Sequence, residues 1–367
     1  MATVVVSDAA PLIASAALVV VGLRVVRRMP RELWVVVPVV AAMYAKPLFH
    51  GMLRLASTGE VAAVLAKPTR GELEVSYRGK TALCVGGTRG IGRGIAEALR
   101  HVGARPSVVG RTGTTNGTTF AFDLSSVRGC HRLGDALKAD GTRYDAVFFT
   151  VGAWPDSRKP RTADGVERVV ALDLLARHVV LTRLVHDKLL KDDAVVVNVL
   201  ASAQNFPGLS AVVVKRRLVD SVKKDVPPPG LVSSLGTVAV AADAYLQAAA
   251  RRFPRVTFVG THPGLVATDL PSSYFPPWFL PVFHALITPF ADDALDVGFL
   301  HLALAASSRR FFAGNVSYWN HLLEARPTHP LAYDQDLSEF VWKFLAHREV
   351  FSLWLNGPHN NSKKTTS

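Results

Sequence analysis

The 367-residue sequence predicts an α/β fold in which a parallel β-sheet is covered by helices on both faces. From Gly79 onward, short β-branched runs alternate with longer segments of helical period. The short runs are continuously apolar, which is typical of strands buried on both faces. Because alternating strands and helices build parallel sheets, these two observations predict a doubly wound arrangement.

The predicted elements follow one another in a regular order. Thr81–Val85 is an apolar run that breaks at Gly86, which predicts a strand and then a turn. A helix follows and ends at Gly103, with apolar residues three and four positions apart. Further strands are predicted at Ser107–Val109, Asp145–Phe149, Ala194–Val199 and Arg255–Val259, and further helices around Val127–Leu137 and at Gly165–Leu190 and Ser233–Arg252.

The composition excludes several classes of protein. Hydrophobic residues make up 49% and charged residues 19%, which excludes a wholly disordered chain or a coiled coil. The two cysteines, Cys84 and Cys130, form no Cys-x-x-Cys motif and have no paired histidines at ligand spacing. The sequence therefore predicts no disulfide scaffold and no metal site, and it favours a reducing compartment.

The net charge of +13 has four candidate causes: nucleic acid, an anionic membrane, a phosphorylated cofactor or a mitochondrial setting. Lysine and arginine are not gathered into one stripe with stacking aromatic residues, as nucleic-acid binding requires. The densest group, Lys215–Arg217 with Lys223 and Lys224, is interpreted as a solvated loop. No nucleic-acid partner is expected.

Residues 1–60 carry much of the apolar excess. Ala9–Val26 and Leu33–Ala45 are almost wholly apolar, and arginines 27, 28 and 31 lie between them. A secretory signal is disfavoured because the positive charges of such a signal precede its apolar run, whereas the arginines here follow the first run. Three interpretations stay open: a membrane anchor or helical hairpin, a mitochondrial import segment, and a helical extension packed on the main domain.

The first strand-to-helix turn has the sequence Gly86-Gly87-Thr88-Arg89-Gly90-Ile91-Gly92. Glycines allow a tight turn, a close approach of backbone to a pyrophosphate, and close packing of helix on strand. The amide groups at the start of the helix then favour the anion. The position of this run after a strand and before a helix predicts a dinucleotide site.

At this turn the chain resembles the short-chain dehydrogenase/reductase family, whose fingerprint is T-G-x-x-x-G-I-G. Gly86, Gly90, Ile91 and Gly92 match it, and Val85 stands in the threonine position. The resemblance spans about residues 80–319 and implies a Rossmann-type dinucleotide-binding domain. We therefore predict a hydrophobic N-terminal extension over residues 1–79, this domain over residues 80–325, and a C-terminal helical extension with a polar tail over residues 326–367.

The resemblance implies further cofactor contacts. The pair Asp123-Leu124 matches the family's residues near the adenine ring, and Gly152 is the residue retained from the family's N-N-A-G segment. The segment P-G-x-V-x-T, which wraps the nicotinamide end, matches at Pro263, Gly264, Val266 and Thr268. The region His262–Leu270 is most similar to fungal and other eukaryotic oxidoreductases of this family.

The charges near the second strand favour NADP(H) over NAD(H). Gly110-Arg111 stands where an NAD-binding chain carries an acidic residue for the ribose hydroxyls. Arg89 adds a second guanidinium, and two arginines suit a 2′-phosphate. Eleven residues separate Arg111 from Asp123, so a loop is predicted where the family has a helix.

The resemblance fails at the catalytic residues. The family's tyrosine and lysine, at i and i+4, are expected near Val232 and Gly236, and neither residue type is present there. The next tyrosine, Tyr245, lies too far along the helix. Ala201 stands in the place of the catalytic serine, and Ser202 follows one residue after that place. Asp173 stands in the place of the supporting asparagine. These changes predict a degenerate active site, and they leave open whether the chain is an enzyme.

Two functions therefore remain. The first is an NADP(H)-binding protein with a degenerate active site, associated with a membrane or a complex, for which a mitochondrial accessory subunit is one form. The second is an active NADPH-dependent reductase of an apolar carbonyl substrate, with substitutes for the missing groups: Ser202, Ser233, Ser234, His262 or an ordered water.

The aromatic and proline-rich segment 271–283, with residues 1–60, is the expected contact with a membrane or partner. The expected location is a mitochondrial or endoplasmic-reticulum membrane, and the sequence does not determine the oligomeric state.

Overall fold

A computed structural model describes residues 63–112, 118–156, 158–201, 203–206, 208–311 and 315–355. The strands are β1 (Ala63–Val64), β2 (Thr81–Val85), β3 (Arg105–Gly110), β4 (Thr119–Ala121), β5 (Tyr144–Phe149), β6 (Leu190–Val199), β7 (Thr257–Thr261), β8 (Val316–Trp319) and β9 (Glu324–Ala325). The helices are α1 (Arg70–Tyr77), α2 (Gly90–His101), α3 (Val127–Asp140), α4 (Ala176–His186), α5 (Ala211–Asp220), α6 (Leu231–Arg252), α7 (Leu280–Ile287), α8 (Ala294–Phe311) and α9 (Gln335–Leu355).

The strands form one nine-stranded sheet in the order β1-β9-β8-β7-β6-β5-β2-β3-β4. From β4 to β8 every neighbouring pair is parallel, and β9 pairs antiparallel with both β8 and β1. The predicted parallel α/β fold is confirmed. The chain leaves β2 toward β3 on one side and returns to β5 on the other, so the order reverses at β2, where ligands bind in sheets of this kind.

Helices cover both faces of the sheet, as the apolar strands require. Along β2 the side chains alternate: Leu83 and Val85 join the core beneath α3, α4, α6 and α9, whereas Ala82 and Cys84 join the core beneath α1, α2 and α8. Among the described residues, α6 is long and apolar enough to cross a membrane, but 72% of its most apolar stretch is buried inside the fold.

The helix α5 differs from the expected solvated loop around Lys215. The Ser210 side chain accepts a hydrogen bond from the Val213 N–H and so caps the start of this helix. Val214 and Leu218, at i and i+4, are fully buried. The basic residues therefore occupy the outer faces of an amphipathic helix, because two apolar side chains four residues apart are enough to anchor one face.

The connection from β3 to β4 contains no helix in its described residues, and β4 pairs directly beside β3.

The long helix predicted at Gly165–Leu190 is divided. A short helical turn at Arg168–Val170 leads into a π-helical turn at Ala171–Leu175, and α4 follows. The π turn carries Asp173, one of the residues singled out from the sequence.

Both ends of the described chain contact the central domain. β1 and α1 lie within the segment predicted as an N-terminal extension, and the Tyr77 hydroxyl donates to the Leu302 carbonyl of α8 at 2.8 Å. The C-terminal helix α9 buries Leu337, Val341 and Leu345 against α6 and its neighbours. The apolar runs in residues 1–60 lie outside the described residues, so the interpretations of them stay predictions.

Candidate nucleotide-binding and active site

The turn between β2 and α2 needs its glycines for geometric reasons. Gly86 has a φ of +95° and Gly90 a φ of +52°, in the left-handed region that favours glycine. A Cβ on Gly86 would lie 2.6 Å from the Val151 backbone nitrogen. The turn therefore presses against the loop after β5, at the reversal of strand order where the sequence predicted the dinucleotide.

The N-terminus of α2 is open to an anion. Arg89 occupies the N-cap position with extended backbone, its side chain makes no capping hydrogen bond, and the first turn contains no acidic residue. The backbone N–H groups of the first turn are therefore available, and the helix dipole favours negative charge there. A Cβ on Gly90 would lie 3.2 Å from Thr268 Cγ2, so the segment Pro263–Thr268 reaches this helix start. The arrangement fits a pyrophosphate.

The two arginines singled out from the sequence flank one contact. A Cβ on Gly110 would lie 2.6 Å from Thr88 Oγ1, so the Thr88 side chain packs directly on the end of β3. Arg89 follows Thr88 and Arg111 follows Gly110. Both arginines are exposed, and no ion pair joins either of them to a described residue. Two exposed arginines without an ion pair to a described residue thus stand next to the contact between the glycine turn and the end of β3.

Asp123 and Leu124 follow β4 at the same edge of the sheet. The Phe122 N–H donates to the Gly110 carbonyl at 2.8 Å, which holds this segment beside the end of β3. Asp123 is exposed and accepts a hydrogen bond from the Ser125 N–H at 3.0 Å, whereas Leu124 is buried in the core. Of this pair, the structure leaves Asp123 accessible to a ligand.

Asp173 holds the loop that follows β5. The Ala153 N–H donates to its Oδ2 at 3.0 Å, and a Cβ on Gly152 would lie 2.6 Å from its Oδ1. Burial raises the pKa of Asp173 to about 6, although the nearby Arg177 and the Ala153 hydrogen bond act in the opposite direction. A carboxylate at this position accepts a backbone N–H, so it orders the loop beside the glycine turn.

Arg177 is a buried cation that sequence reasoning missed. Its guanidinium donates to the Val151 and Val199 carbonyls at 2.6 and 3.0 Å and to Asn198 Oδ1 at 3.2 Å. It lies 4.0 Å from Asp173, four residues earlier. Burial lowers the pKa of Arg177 to about 10. The spacing of four residues between Asp173 and Arg177 is the sequence feature that could have identified this pair. Through its bonds to the Val151 and Val199 carbonyls, Arg177 holds the ends of β5 and β6 together.

The start of α6, where the family's tyrosine and lysine were expected, is used for packing. Val232 is exposed to 70%, and a Cβ on Gly236 would lie 2.7 Å from the Phe206 ring. Tyr245 lies elsewhere: it is buried and its ring stacks on Trp342 of α9, with centroids 5.5 Å apart. The described residues Val232, Gly236 and Tyr245 therefore do not form a tyrosine–lysine pair at the start of α6.

The serines proposed as substitutes differ in their surroundings. Ser202 lies outside the described residues. The Ser234 hydroxyl is buried and donates to Glu167, whose carboxyl pKa is raised by burial. The Ser233 carbonyl accepts from the Thr237 hydroxyl at 2.8 Å. Ser234 is thus committed to a buried carboxyl group, and Ser233 contributes its backbone to α6.

His262 lies at the end of β7, immediately before the Pro263-Gly264 segment. Burial lowers its pKa to about 4, and the neighbouring His321 acts in the same direction. The two imidazole rings lie 6.1 Å apart. His262 is therefore a neutral imidazole near pH 7, enclosed at the carboxyl edge of the sheet.

A small pocket opens beside His262 at the carboxyl ends of β6, β7 and β8. The Thr328 hydroxyl donates to the Asp243 carboxyl group inside it, and burial raises the pKa of Asp243 to about 7. The Tyr318 hydroxyl donates to the Asp243 backbone carbonyl at 2.9 Å. Sequence reasoning missed this group, because its members come from a helix, a strand and the C-terminal segment. The lining is Leu200, Ala201, Ala203, Asp243, Gly260, Thr261, His262, Tyr318, Trp319, Asn320, Arg326 and Thr328.

The segment after Thr268 forms a lid, defined here as residues 270–291. Its base is closed by backbone hydrogen bonds from the Asp292 N–H to the Leu265 carbonyl and from the Ala267 N–H to the Asp292 carbonyl. Phe275 of the lid contacts Trp154 of the loop after β5, with ring centroids 6.5 Å apart. The lid therefore lies next to the loop that borders the glycine turn.

Sequence comparison finds reductases. The chain is 27% identical over 195 residues to an uncharacterised oxidoreductase of Saccharomyces cerevisiae, which covers 51% of this chain and 60% of that protein. It is 28% identical over 217 residues to a putative daunorubicin C-13 ketoreductase of a Streptomyces species, which covers 55% of this chain and 71% of the relative. The match to the yeast protein thus spans less than two thirds of its length. No protein-family model matches the chain.

Comparison with solved structures finds the angucycline C-6 ketoreductase LanV with bound NADP. The two are 18% identical with a TM-score of 0.47, and the match covers 67% of this chain and 95% of LanV. The glycine turn, the parallel sheet that reverses order at β2, and the oxidoreductase relatives agree with the resemblance of the chain to the short-chain dehydrogenase/reductase family.

Proposed function

We propose that this protein binds NADP(H) at the carboxyl edge of the sheet, in the region bordered by the glycine turn, the end of β3 and the segment Pro263–Thr268, here called the cleft. The observation that carries the proposal is the uncapped N-terminus of α2, with the exposed Arg89 at its N-cap position and the exposed Arg111 next to Gly110, on which Thr88 packs. The first-turn N–H groups of α2 would hold the pyrophosphate, and the two arginines would hold the adenosine 2′-phosphate. Thr268 and the loop ordered by Asp173 border the same cleft. When bound, the dinucleotide supplies or accepts a hydride.

We further propose that the catalytic face is degenerate. Val232 and Gly236 occupy the helical positions that would carry a proton donor and its lysine partner, and the Phe206 ring packs against Gly236. A positioned general acid contributes about 10²- to 10⁴-fold to the rate, so its loss leaves ordinary carbonyl reduction very slow. A protein that retains nucleotide binding without rapid turnover fits a role as a subunit associated with a membrane or a complex.

A second function, reduction of an apolar carbonyl compound, is favoured by two observations. The relatives include a protein named as a putative daunorubicin C-13 ketoreductase. The aromatic side chains of the lid lie beside the cleft and offer an apolar wall for such a substrate. In this case His262 or Asp243 of the adjacent pocket would have to orient or protonate the carbonyl oxygen, directly or through a water.

One assay separates the two functions. The purified full-length chain is incubated with NADPH deuterated at C4 of the nicotinamide ring and a panel of apolar ketones and aldehydes. Substrate-dependent oxidation of the cofactor is followed, and mass spectrometry of the products detects transferred deuteride. The degenerate site predicts saturable nucleotide binding with no transfer above the protein-free background. Transfer that saturates with substrate and is lost in Asp243→Asn or His262→Gln would contradict degeneracy and establish the reductase.

A further inference from the structure

The lid carries an outer face that the rest of the described chain does not cover. From Leu270 to Ala291 the sequence contains no Asp, Glu, Lys or Arg, although Asp269 and Asp292 stand at either end. Trp278 is exposed to 76%, Tyr274 to 43% and Leu270 to 41%. An exposed apolar surface of this kind on a folded domain marks an interaction site.

The exposed aromatic side chains are held in place by their neighbours. Trp278 contacts Phe279 with ring centroids 5.7 Å apart, Phe279 contacts Phe275 at 5.2 Å, and Tyr274 contacts Phe275 at 5.2 Å. Phe275 in turn contacts Trp154. The rings thus form a continuous cluster that extends from the loop bordering the cleft to the solvent-exposed Trp278, which fixes the outer face relative to the domain.

Charges of both signs lie near this cluster: Asp269, next to Leu270, is exposed, and the loop after Trp154 carries two cations. Arg158 and Lys159 lie four and five residues after Trp154 in the same loop, and both are exposed. Arg158 lies 3.5 Å from Asp156, so these two charges offset each other. Lys159 then gives this part of the loop a net positive charge. The whole chain carries a net charge of +13. An apolar face with cations nearby fits a partner that has an apolar interior and an anionic surface.

We propose that the outer face of the lid docks on an anionic lipid bilayer. Tryptophan and tyrosine are the side chains that settle at the boundary between lipid tails and headgroups, since they combine an apolar ring with a polar atom. Trp278, Tyr274 and Leu270 would enter this boundary, while Arg158 and Lys159 contact acidic headgroups. This docking does not depend on nucleotide binding or turnover.

A fluorescent label on the lid tests the proposal. The native cysteines Cys84 and Cys130 are buried, and burial raises the pKa of both thiols, so an introduced exposed cysteine is labelled selectively. Full-length chain carrying Pro276→Cys receives an environment-sensitive fluorophore. Arg255→Cys is the matched control, because Arg255 is exposed just before β7, at the opposite edge of the sheet.

Vesicles of phosphatidylcholine and phosphatidylserine are expected to shift the emission of the label at position 276 to the blue, and spin-labelled lipids to quench it. The label at position 255 is expected to stay unchanged. Adding Trp278→Ser should abolish most of the shift, and the double variant Arg158→Gln/Lys159→Gln should remove its dependence on phosphatidylserine. Unchanged thermal unfolding of each variant shows that the fold is intact.

Two outcomes would overturn the proposal. If the chain floats with vesicles while the label at position 276 stays unchanged, another part of the chain makes the membrane contact. If the emission at position 276 shifts with protein concentration in the absence of vesicles, a second copy of this chain covers the lid.

Discussion

Arg89 and Arg111 stand on either side of the contact between Thr88 and Gly110, and neither guanidinium has an acidic partner among the described side chains. Cations that stabilised the fold would be expected to pair with carboxylates, as Arg252 does with Glu339. Their positions next to the glycine turn instead suit a ligand phosphate, which a guanidinium binds with two parallel hydrogen bonds.

We predict that Arg89→Glu and Arg111→Glu each weaken NADPH binding by about tenfold or more, because a hydrogen bond to a charged group contributes about 1.5 to 3 kcal/mol. NADH binding should change much less, since it lacks the 2′-phosphate. Titration of each variant with both nucleotides measures this selectivity. Arg255→Glu, at the far edge of the sheet, is the control, and equal losses for NADH and NADPH would contradict the assignment.

Asp243 gives a prediction about pH. Burial raises its folded-state pKa from 3.8 to about 7, so between these values the folded chain holds a proton that the unfolded chain has lost. The contribution of this carboxyl group to stability is therefore present below about pH 4 and is lost as the pH rises toward 7. Asp243→Asn cannot ionise. The free energy of unfolding of this variant should rise relative to the parent by up to about 1.4 kcal/mol per pH unit across that window.

Urea unfolding of both chains at a series of pH values checks this difference. Asp225→Asn, at an exposed carboxylate, controls for the change of side chain. If the stability curves of the parent and of Asp243→Asn run parallel across the window, the carboxyl group of Asp243 ionises normally and its buried placement is wrong.

Single residues also show where sequence reasoning succeeds. The glycines at positions 86, 90 and 92 could be identified because a turn with positive φ and close backbone contacts is a local demand on residue type. The group of Asp243, Thr328 and Tyr318 could not, because Asp243 and Thr328 lie 85 residues apart and meet only through tertiary packing. No local pattern distinguishes these residues from ordinary polar positions.

Helices α2 and α8 pack unusually closely, and glycines make this possible. A Cβ on Gly94 would collide with the Ala294 carbonyl, and a Cβ on Gly298 would lie 2.6 Å from the Gly94 carbonyl carbon. The backbones of the two helices are therefore in direct contact behind the glycine turn. This contact fixes the axis of α2, and with it the direction of the N–H groups that face the proposed pyrophosphate.

We predict that Gly94→Ala destabilises the protein by about 1 to 3 kcal/mol, the usual cost of inserting a methyl group into a packed core, because α2 and α8 must separate. Gly71→Ala is the matched control: it lies in α1 with no atom within 4 Å of the added Cβ, so helix propensity should make it neutral or stabilising. Denaturant unfolding measures both. Equal effects of the two substitutions would show that the α2–α8 contact is not tight.

Elements were predictable where their own residues determine them. β2 and α2 follow from an apolar run, a glycine turn and helical spacing, and the structure confirms both. The π turn at Ala171–Leu175 was not predictable, because its residues are good helix formers and the extra residue serves the placement of Asp173 against the loop after β5. The helix α5 was missed because basic residues outnumber its two buried anchors.

At the scale of the whole molecule, the sheet brings the carboxyl ends of β2, β3, β5, β6 and β7 to one edge. The turn at Gly86, the end of β3 before Arg111, the loop at Gly152 and the segment at Thr268 lie at this edge, as the alternation of strands and helices predicts. The lid, the pocket beside His262 and the start of α6 lie at the same edge. The strand order that places these segments at one edge was thus predictable, whereas the cofactor contacts stay predictions. The use of α6 for packing depends on a contact between Gly236 and Phe206 that only the fold reveals.

The central claim is that this cleft binds NADP(H), and isothermal titration calorimetry of the full-length chain tests it most directly. We expect saturable binding of one NADPH per chain, with NADH binding at least about tenfold more weakly because it lacks the phosphate that Arg89 and Arg111 would hold. Absence of saturable heat with either nucleotide, or equal affinity for both, would rule out the proposed site.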